Sequence, residues 1–249
     1  MSLGQLEHRV RFDWGPMGLR TLAPDADVVI VVDVLSFTTC VDVALGRGTE
    51  VFPYKWHDGS EKAFAESVDA QVAGPRGGAA RYTLSPASLD EIPAGTRLVL
   101  PSPNGSALLF GAADAGAETV VAACLRNGAA VGAWFADLDA TVAVVAAGER
   151  WNGTTGPMRA AVEDLWGAGS VLSLFEPAEL SPEARTAVAA WRAVEPMVVD
   201  ELEACVSGRE LILQDHATDV LLAGAAHVSE LVPALVEQRF VDLAAETDG

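Results

Sequence analysis

Residues 28–32, Val-Val-Ile-Val-Val, are the segment that most restricts the fold of this chain. An aliphatic run without polar alternation is typical of a strand that is buried on both faces, as in a parallel sheet covered by helices. Shorter strand patterns follow at residues 50–54, 97–100, 119–122 and 141–146, and segments of helical period separate them. This alternation predicts a three-layer α/β/α fold with a largely parallel or mixed central sheet.

Helical patterns occupy the intervals between these strands and most of the C-terminal third. Ser181 precedes Pro182 and Glu183, which is the pattern of an N-cap followed by proline at the first helical position. Helical segments continue to about Pro233, and a short strand pattern follows at 239–241. No Pro- or Ser-rich linker divides the sequence, so we expect one domain over residues 1–249, with the helical third from about residue 181 packed on the sheet. The other predicted helices span residues 38–45, 61–68, 105–113, 127–135 and 158–174.

The charge balance argues against several classes of partner. The 249 residues contain 16 Lys and Arg against 35 Asp and Glu, a formal net charge of −19, without a local basic stripe. Such a surface repels nucleic acid and anionic membranes. Three separated cysteines, the lack of an apolar stretch that could span a bilayer and the lack of a signal-peptide core predict a cytoplasmic protein with reduced thiols. A homodimer is expected only because dimers are common among cytoplasmic enzymes.

Polar residues follow four of the predicted strands, at the ends where ligands collect in open α/β sheets. Asp33 follows the first strand directly, and its carboxylate could bind Mg²⁺ or cap the following turn. A later strand is followed by Asn104, Gly105 and Ser106, which could surround an oxyanion with amide and hydroxyl groups or form an ordinary tight turn. Both interpretations of each segment stay open at the level of sequence.

The other two strand ends carry charged groups. Arg126 and Asn127 follow one strand, and Glu149 and Arg150 follow the other. An arginine directly after a buried strand has no evident structural reason to be there, and its planar guanidinium binds oxyanions well. Taken together, the four strand ends predict a site for an anion and a metal ion.

Two segments farther along the chain are ambiguous. Glu163 and Asp164 lie in a predicted helix, where adjacent side chains point about 100° apart, so only one of them would easily face a shared site. A solvated helix face is the simpler interpretation of this pair. Ser207, Gly208 and Arg209 could open a helix toward an anion or form a capping turn.

Several catalytic motifs are absent. The sequence contains neither GxxxxGK[ST] nor GxSxG, and its four histidines show no metal-ligand spacing, which argues against a P-loop enzyme, a nucleophile elbow and a zinc site. The DxDx[TV] pattern of aspartyl-nucleophile phosphatases occurs at Asp25 and Asp137. Because that chemistry needs its first Asp at the end of a strand and Asp25 precedes one, only Asp137 remains as an alternative active site.

An ordered set of short motifs resembles the 2-phosphosulfolactate phosphatase family over about residues 28–225. Gly74-Pro75-Arg76-Gly77-Gly78 with Ser85-Pro86 fits that pattern loosely. The motifs that fit it better are, in chain order, Val31-Val32-Asp33-Val34-Leu35-Ser36-Phe37-Thr38-Thr39, Pro103-Asn104-Gly105-Ser106, Leu125-Arg126-Asn127, Gly148-Glu149-Arg150, Glu163-Asp164-Leu165-Trp166-Gly167-Ala168-Gly169 and Ser207-Gly208-Arg209.

The resemblance implies a three-layer α/β/α fold and a Mg²⁺-dependent phosphatase. The family's reaction releases phosphate from 2-phospho-3-sulfolactate, a step toward coenzyme M. The resemblance also implies that Asp33, Glu149 and residues 104–106 belong to the site. The chain departs from the family at Ser36 and Ala107, where other members commonly carry arginine. Two missing cations would weaken the binding of a substrate with several acidic groups.

These observations give one leading hypothesis and one rival from another class. The leading hypothesis is a Mg²⁺-assisted phosphomonoesterase that acts on a small anionic phosphate ester. The rival is a non-catalytic protein that binds a small anionic metabolite. The expected metal ligands are Asp33, Glu149 and Asp164, the first two being also the expected catalytic residues. The expected substrate-binding residues are Arg76, Asn104, Gly105, Ser106, Arg126, Asn127, Arg150, Ser207, Gly208 and Arg209.

Overall fold

A computed structural model of the chain describes residues 4–55, 59–151 and 156–246 and has the α/β architecture that the sequence predicts. Its strands are β1 (Val10–Trp14), β2 (Val28–Val32), β3 (Glu50–Tyr54), β4 (Gln71–Val72), β5 (Arg97–Pro101), β6 (Thr119–Ala123), β7 (Val142–Ala146), β8 (Glu149–Arg150), β9 (Met158–Arg159), β10 (Pro233–Val236) and β11 (Arg239–Asp242). Its helices are α1 (Gly15–Leu22), α2 (Phe37–Gly46), α3 (Glu61–Ser67), α4 (Pro86–Leu89), α5 (Gly105–Asp114), α6 (Gly128–Ala136), α7 (Val162–Leu172), α8 (Pro182–Val194), α9 (Val198–Ala204), α10 (Val206–Leu213), α11 (Ala217–Gly224) and α12 (Leu243–Glu246).

Six of these strands form the main sheet, in the order β1-β7-β2-β6-β10-β11. The aliphatic strand β2 lies inside it and pairs in parallel with β7 on one side and β6 on the other, so that Ile30 is opposite Val144 and Val121. Strand β1 is parallel to β7, and the β10–β11 hairpin pairs with β6 in antiparallel orientation. The sheet is therefore mixed but largely parallel, which confirms the predicted fold class.

The side chains of β2 alternate between two hydrophobic cores, one on each face of the main sheet. Ile30 belongs to a core that α6, α7 and α8 contribute to, and it is fully buried there with Trp191. Val29 and Val31 belong to a second core, formed with α1, α2 and α5. Because helices cover both faces, neither face of β2 meets water, and this explains why the strand has no polar alternation.

A second sheet contains three parallel strands in the order β3-β5-β4. The sequence pattern predicted that β3 and β5 would extend the central sheet, and this prediction is wrong. Val51, Leu98 and Leu100 of the second sheet are buried in the same core as α2 and α5. Since an apolar strand satisfies the same pattern in either sheet, the sequence did not distinguish the two arrangements.

Several element boundaries differ from the predicted ones. The helix predicted from residue 158 begins at Val162, because Met158 and Arg159 pair with β8 in a short antiparallel hairpin. Strand β1 and helix α1 were not predicted, and β10 lies where a helical segment was expected to end. The predicted N-cap is confirmed: the hydroxyl group of Ser181 accepts a hydrogen bond from the Ala184 amide at 3.1 Å.

Helix α7 packs closely against its neighbours because it carries glycines on its contact faces. A Cβ atom at Gly169 would overlap the carbonyl oxygen of Ala187 and lie 2.7 Å from the Cβ of Trp191, both on α8. A Cβ atom at Gly167 would lie 2.7 Å from a methyl group of Val34, just beyond β2. Gly167 therefore lets α7 lie close to the end of β2, and Gly169 lets it lie close to α8. Across the ranges that the structure covers, no helix combines the length and the apolar character needed to cross a bilayer.

We expect Gly169→Ala to lower the free energy of unfolding by about 1–3 kcal/mol, because the added methyl group would force α7 and α8 apart. The matched control is Gly46→Ala at the end of α2, where a Cβ atom would lie 3.7 Å from a methyl group of Leu231, an ordinary contact. The control should change the free energy by less than about 0.5 kcal/mol. Urea unfolding followed by circular dichroism measures both changes, and equal unfolding midpoints for the two variants would contradict the proposed packing.

Candidate active site

Asp33 connects a loop that follows a strand of the main sheet to a loop that follows a strand of the second sheet. Its side chain is buried, and its Oδ2 atom accepts a hydrogen bond of 2.9 Å from the backbone amide of Gly105, the first residue of α5. Its Oδ1 atom accepts a bond of 3.3 Å from the amide of Phe37, the first residue of α2. Asp33 follows β2 in the main sheet, whereas Gly105 lies shortly after β5 in the second sheet. One carboxylate therefore binds the N-termini of two helices that follow strands of different sheets. The helix dipoles favour negative charge at these N-termini.

Gly105 allows this approach because it has no side chain. A Cβ atom at this position would overlap the ring of Phe37 and lie 2.7 Å from Oδ2 of Asp33. The Asn-Gly pair, for which the sequence left both an oxyanion-binding loop and a tight turn open, places a backbone amide against an internal carboxylate. The hydroxyl group of Ser106 faces the carbonyl oxygens of Tyr54 and Ser102, at 2.6 Å from each, and is buried there.

Asp164, in the first turn of α7, connects the loops that follow two strands of the main sheet, β2 and β7. Its Oδ1 atom accepts a hydrogen bond of 2.8 Å from the amide of Val34 after β2, and its Oδ2 atom accepts one of 2.9 Å from the amide of Gly148 after β7. Asp164 and its neighbour Glu163 are both buried, so the interpretation of this pair as a solvated helix face is wrong. Both residues lie in the first turn of α7, next to the loops that follow β2 and β7, and are buried there.

The hairpin β8–β9 adds a further carboxylate beside these residues. Glu149 accepts a hydrogen bond of 3.2 Å from the side-chain amide of Asn104. Across the hairpin, Glu149 pairs with Arg159. We call Asp33, Glu163, Asp164 and Glu149 the acidic centre.

Burial and mutual repulsion shift the protonation of this acidic centre. Burial, followed by the charge of Glu149, raises the pKa of Asp33 from its ordinary 3.8 to about 7. Burial raises the pKa of Asp164 well above its ordinary range, and the charges of Asp33 and Glu163 add to this effect. Burial also raises the pKa of Glu163, although a hydrogen bond with Ser207 opposes the shift. The centre therefore keeps protons near neutral pH that isolated carboxyl groups would have released.

Arg76 supplies a cation beside the loop that follows β2. Its Nη2 atom donates a hydrogen bond of 2.5 Å to the hydroxyl group of Ser36, and its Nε atom forms an ion pair of 3.0 Å with Asp219. Asp219 is buried and also accepts bonds from the hydroxyl group of Ser85 at 2.5 Å and the amide of Ala87 at 3.1 Å. The sequence predicted Arg76 for the site but gave no sign of Asp219, which lies in the C-terminal helical region.

Arg150 lies next to the Asn104 loop. Its Nη1 atom donates to the carbonyl oxygen of Gly156 at 3.1 Å. Together with Asn104 and Ala107 it lines a small cavity of about 20 Å³. The two positions that lack the family's arginines, Ser36 and Ala107, thus each have another arginine close by in space.

Three predicted site residues do not join the acidic centre. Arg126 forms an ion pair of 2.7 Å with Asp42 and lines a separate polar hollow. The side chain of Asn127 is buried, and it accepts from the Cys124 amide at 2.8 Å and donates to backbone carbonyl oxygens, so it shapes its own loop. Arg209 is exposed on α10, a helix that begins at Val206 instead of at Ser207 as predicted.

Two residues near the centre were not predicted from the sequence as site residues. The Nη2 atom of Arg159 donates to the hydroxyl group of Ser207 at 3.1 Å, and the sulfur of Cys205 lies 3.7 Å from Glu163. Ser207 itself was predicted and does reach the centre through its contacts with Arg159 and Glu163. Arg159 was hidden because its segment was interpreted as part of a helix. Recognition of the hairpin, which pairs it with Glu149, would have revealed it.

Asp137, the alternative nucleophile, does not have the position that its chemistry needs. It is exposed at the C-terminal end of α6 and precedes β7, whereas an aspartyl nucleophile follows a strand. Asp33 meets that requirement, because it follows β2 directly.

The carboxylate oxygens of the acidic centre suit a hard cation such as Mg²⁺, and the raised pKa values of Asp33 and Asp164 mean that added positive charge would be favourable there. Suitable ligand atoms do not by themselves form a preformed metal site. Within the ranges 4–55, 59–151 and 156–246, no three His, Cys, Asp or Glu side chains are arranged to hold a metal ion. Each Asp164 oxygen accepts a backbone N–H group, which favours a role in fixing the loops for this residue over direct metal binding.

The pKa of Asp33 predicts how stability depends on pH. Between about pH 4 and pH 7 the folded protein keeps a proton on Asp33 that the unfolded chain releases, so this contribution to stability is lost as the pH rises toward 7. The difference in unfolding free energy between wild type and Asp33→Asn should fall by about 1.4 kcal/mol per unit between pH 5 and pH 6.

The control for this measurement is Asp27→Asn. Hydrogen bonds from Thr141 lower the pKa of Asp27, so its contribution is complete above about pH 5 and its difference from wild type should stay constant there. Urea unfolding at several pH values measures both differences. A flat curve for Asp33→Asn would contradict the raised pKa.

Comparison with known proteins places the chain in a family. A family model described as 2-phosphosulpholactate phosphatase matches residues 19–238, most of the chain, and it includes every member of the acidic centre. A search of curated proteins found no match. The family consists of phosphatases, which are phosphoric monoester hydrolases. On this match, the chain belongs to the 2-phosphosulpholactate phosphatase family.

Proposed function

We propose that the protein is a Mg²⁺-assisted phosphatase that hydrolyses a small phosphate ester with further acidic groups, 2-phospho-3-sulfolactate being the substrate that the family implies. The observation that carries this proposal is the convergence of Asp33, Asn104 and Glu149 from three loops in two sheets. Family membership supports the phosphatase chemistry, and the excess of buried carboxylates supports the need for a cation.

In this proposal, Asp33 and Glu149 hold the metal ion. Bound Mg²⁺ would offset the charge on the transferred phosphoryl group and lower the pKa of an attacking water molecule. Asn104 orients Glu149 through its side-chain amide, and the Gly105 amide orients Asp33. Asp164 acts indirectly, because it fixes the loops that follow β2 and β7.

The cations of the substrate site are Arg76 and Arg150 in this proposal. Asp219 and Ser36 hold the Arg76 guanidinium beside the loop that follows β2, and its Nη1 atom has no hydrogen-bond partner among the described residues. Arg150 lies next to Ala107 in the cavity that Asn104 also lines. The two side chains would replace the arginines that the family commonly has at 36 and 107, so the chain keeps the positive charge that a multiply acidic substrate needs.

Phosphate release from a panel of phosphate esters, with and without Mg²⁺, tests the proposed reaction. We expect release that EDTA abolishes and Mg²⁺ restores. Asp33→Asn should lower kcat/KM by about 100-fold or more, a typical cost of losing a group that stabilises transition-state charge. Asp137→Asn should leave kcat/KM within about twofold, because Asp137 is exposed and does not follow a strand.

Two outcomes would contradict the proposal. Loss of turnover in Asp137→Asn alone would favour the aspartyl-nucleophile alternative. A lack of phosphate release from every ester, together with saturable binding of an anion, would favour the non-catalytic binder.

The close contact at Gly105 gives a second test of the site. Gly105→Ala should reduce kcat by about 10-fold or more, because the methyl group would displace the Asp33 carboxylate that Gly105 now contacts. Gly111→Ala on the same helix is the control, since a Cβ atom there would meet only a terminal methyl group of Leu19 at 2.9 Å. Thermal unfolding should show both variants folded. Equal activity of the two would contradict the placement of Asp33 in the site.

A further inference from the structure

Arg159 differs from most of the partly buried arginines in its pairing. Arg9, Arg76 and Arg126 each form an ion pair with a carboxylate at 3.0 Å or less. For Arg159, by contrast, no Asp or Glu oxygen of the described residues lies within 4.0 Å of the guanidinium group. Its charge reaches the acidic centre at longer range, where it opposes the rise in the pKa of Glu163.

The guanidinium group of Arg159 is nevertheless held in one orientation. Its Nη2 atom donates to the hydroxyl group of Ser207, and its Cζ atom lies 5.6 Å from the centre of the Trp151 ring, a cation–π distance. Its backbone pairs with Glu149 in the hairpin. Only one of its five N–H groups has a partner among the described residues, and a guanidinium group with such open donors suits bidentate binding of a planar acid group.

The position of Arg159 places this cation at the edge of the acidic centre. Its side chain is half-buried, whereas Glu163, four residues farther along the chain, is buried. The carbonyl oxygen of Arg159 packs against Gly148, whose amide binds Asp164. Trp151 on the other side is 57% exposed. A substrate that reaches Glu149 from solvent would therefore have Arg159 beside it, because the two residues are paired across the hairpin.

We propose that Arg159 is a specificity-determining residue that binds the acid group of the substrate that is not hydrolysed, a carboxylate or sulfonate close to the phosphate ester. This assignment rests on the proposed function. The competing explanation is structural: Arg159 would only balance the charge of Glu163 through Ser207. The two differ in one respect, because a structural role affects all substrates alike, whereas a binding role affects only substrates that carry the second acid group.

Two substrates separate these roles: 2-phospholactate, which carries a carboxylate next to the ester, and 4-nitrophenyl phosphate, which does not. Arg159→Ala should raise KM for 2-phospholactate about tenfold or more, the equivalent of one charged hydrogen bond, with little change in kcat. Its kcat/KM for 4-nitrophenyl phosphate should stay within about twofold. Arg159→Lys should fall between wild type and Arg159→Ala, because it keeps the charge but not the bidentate geometry.

Arg20→Ala is the matched control, since it removes one exposed cation on α1 and should leave both substrates unaffected. Thermal unfolding of every variant verifies the fold. Equal losses for the two substrates in both Arg159→Ala and Arg159→Lys would overturn the proposal in favour of the structural role.

Calorimetric binding of 2-phospholactate distinguishes failure of this inference from failure of the proposed function. If the wild type hydrolyses neither ester, the phosphatase proposal fails, but tenfold weaker binding of 2-phospholactate by Arg159→Ala than by Arg20→Ala would still support the role of Arg159. Equal affinity of these two variants would overturn it. A wild type that neither hydrolyses nor binds 2-phospholactate would overturn both proposals.

Discussion

Two buried carboxylates hold the functional end of this protein together. Asp33 accepts amide hydrogen bonds from the starts of α2 and α5, and Asp164 accepts them from the loops after β2 and β7. Each would be costly to bury without such partners. Their bonds fix loops from both sheets relative to one another, and the arrangement of Glu149 and Asn104 depends on those loops.

The same contacts that hold the loops also bring together more acidic groups than basic ones. Backbone amides satisfy the oxygens of Asp33 and Asp164 as acceptors but supply no full positive charge, and the charges of Glu149 and Glu163 raise the pKa of Asp33, so that the centre keeps protons near neutral pH. Two cationic groups flank this excess without forming ion pairs with the acidic centre: Arg76, which Asp219 holds, and Arg159, which Ser207 orients. Such a site favours a ligand that combines a cation with an oxyanion, as a metal-bound phosphate ester does.

The residue pattern predicted the strand ends better than it predicted their partners. Asp33, Asn104 and Glu149 were expected together and are together, although Asn104 reaches the site from a second sheet that the pattern did not reveal. Arg126 was expected there because it follows a buried strand, yet Asp42 binds it elsewhere. Arg159 was missed because hairpin pairing across residues 149–159 has no local signature as strong as helical periodicity.

The sequence by itself determined the α/β class, the buried strand β2, the acid that follows it and membership of a phosphatase family. These depend on local hydrophobic pattern and on short motifs, which are properties of neighbouring residues. Only the tertiary structure decided which acids are buried, which arginines are already paired and which sheet each strand joins. Those outcomes depend on contacts between residues far apart in the sequence, such as Arg126 with Asp42 and Val34 with Asp164, and no local pattern encodes them.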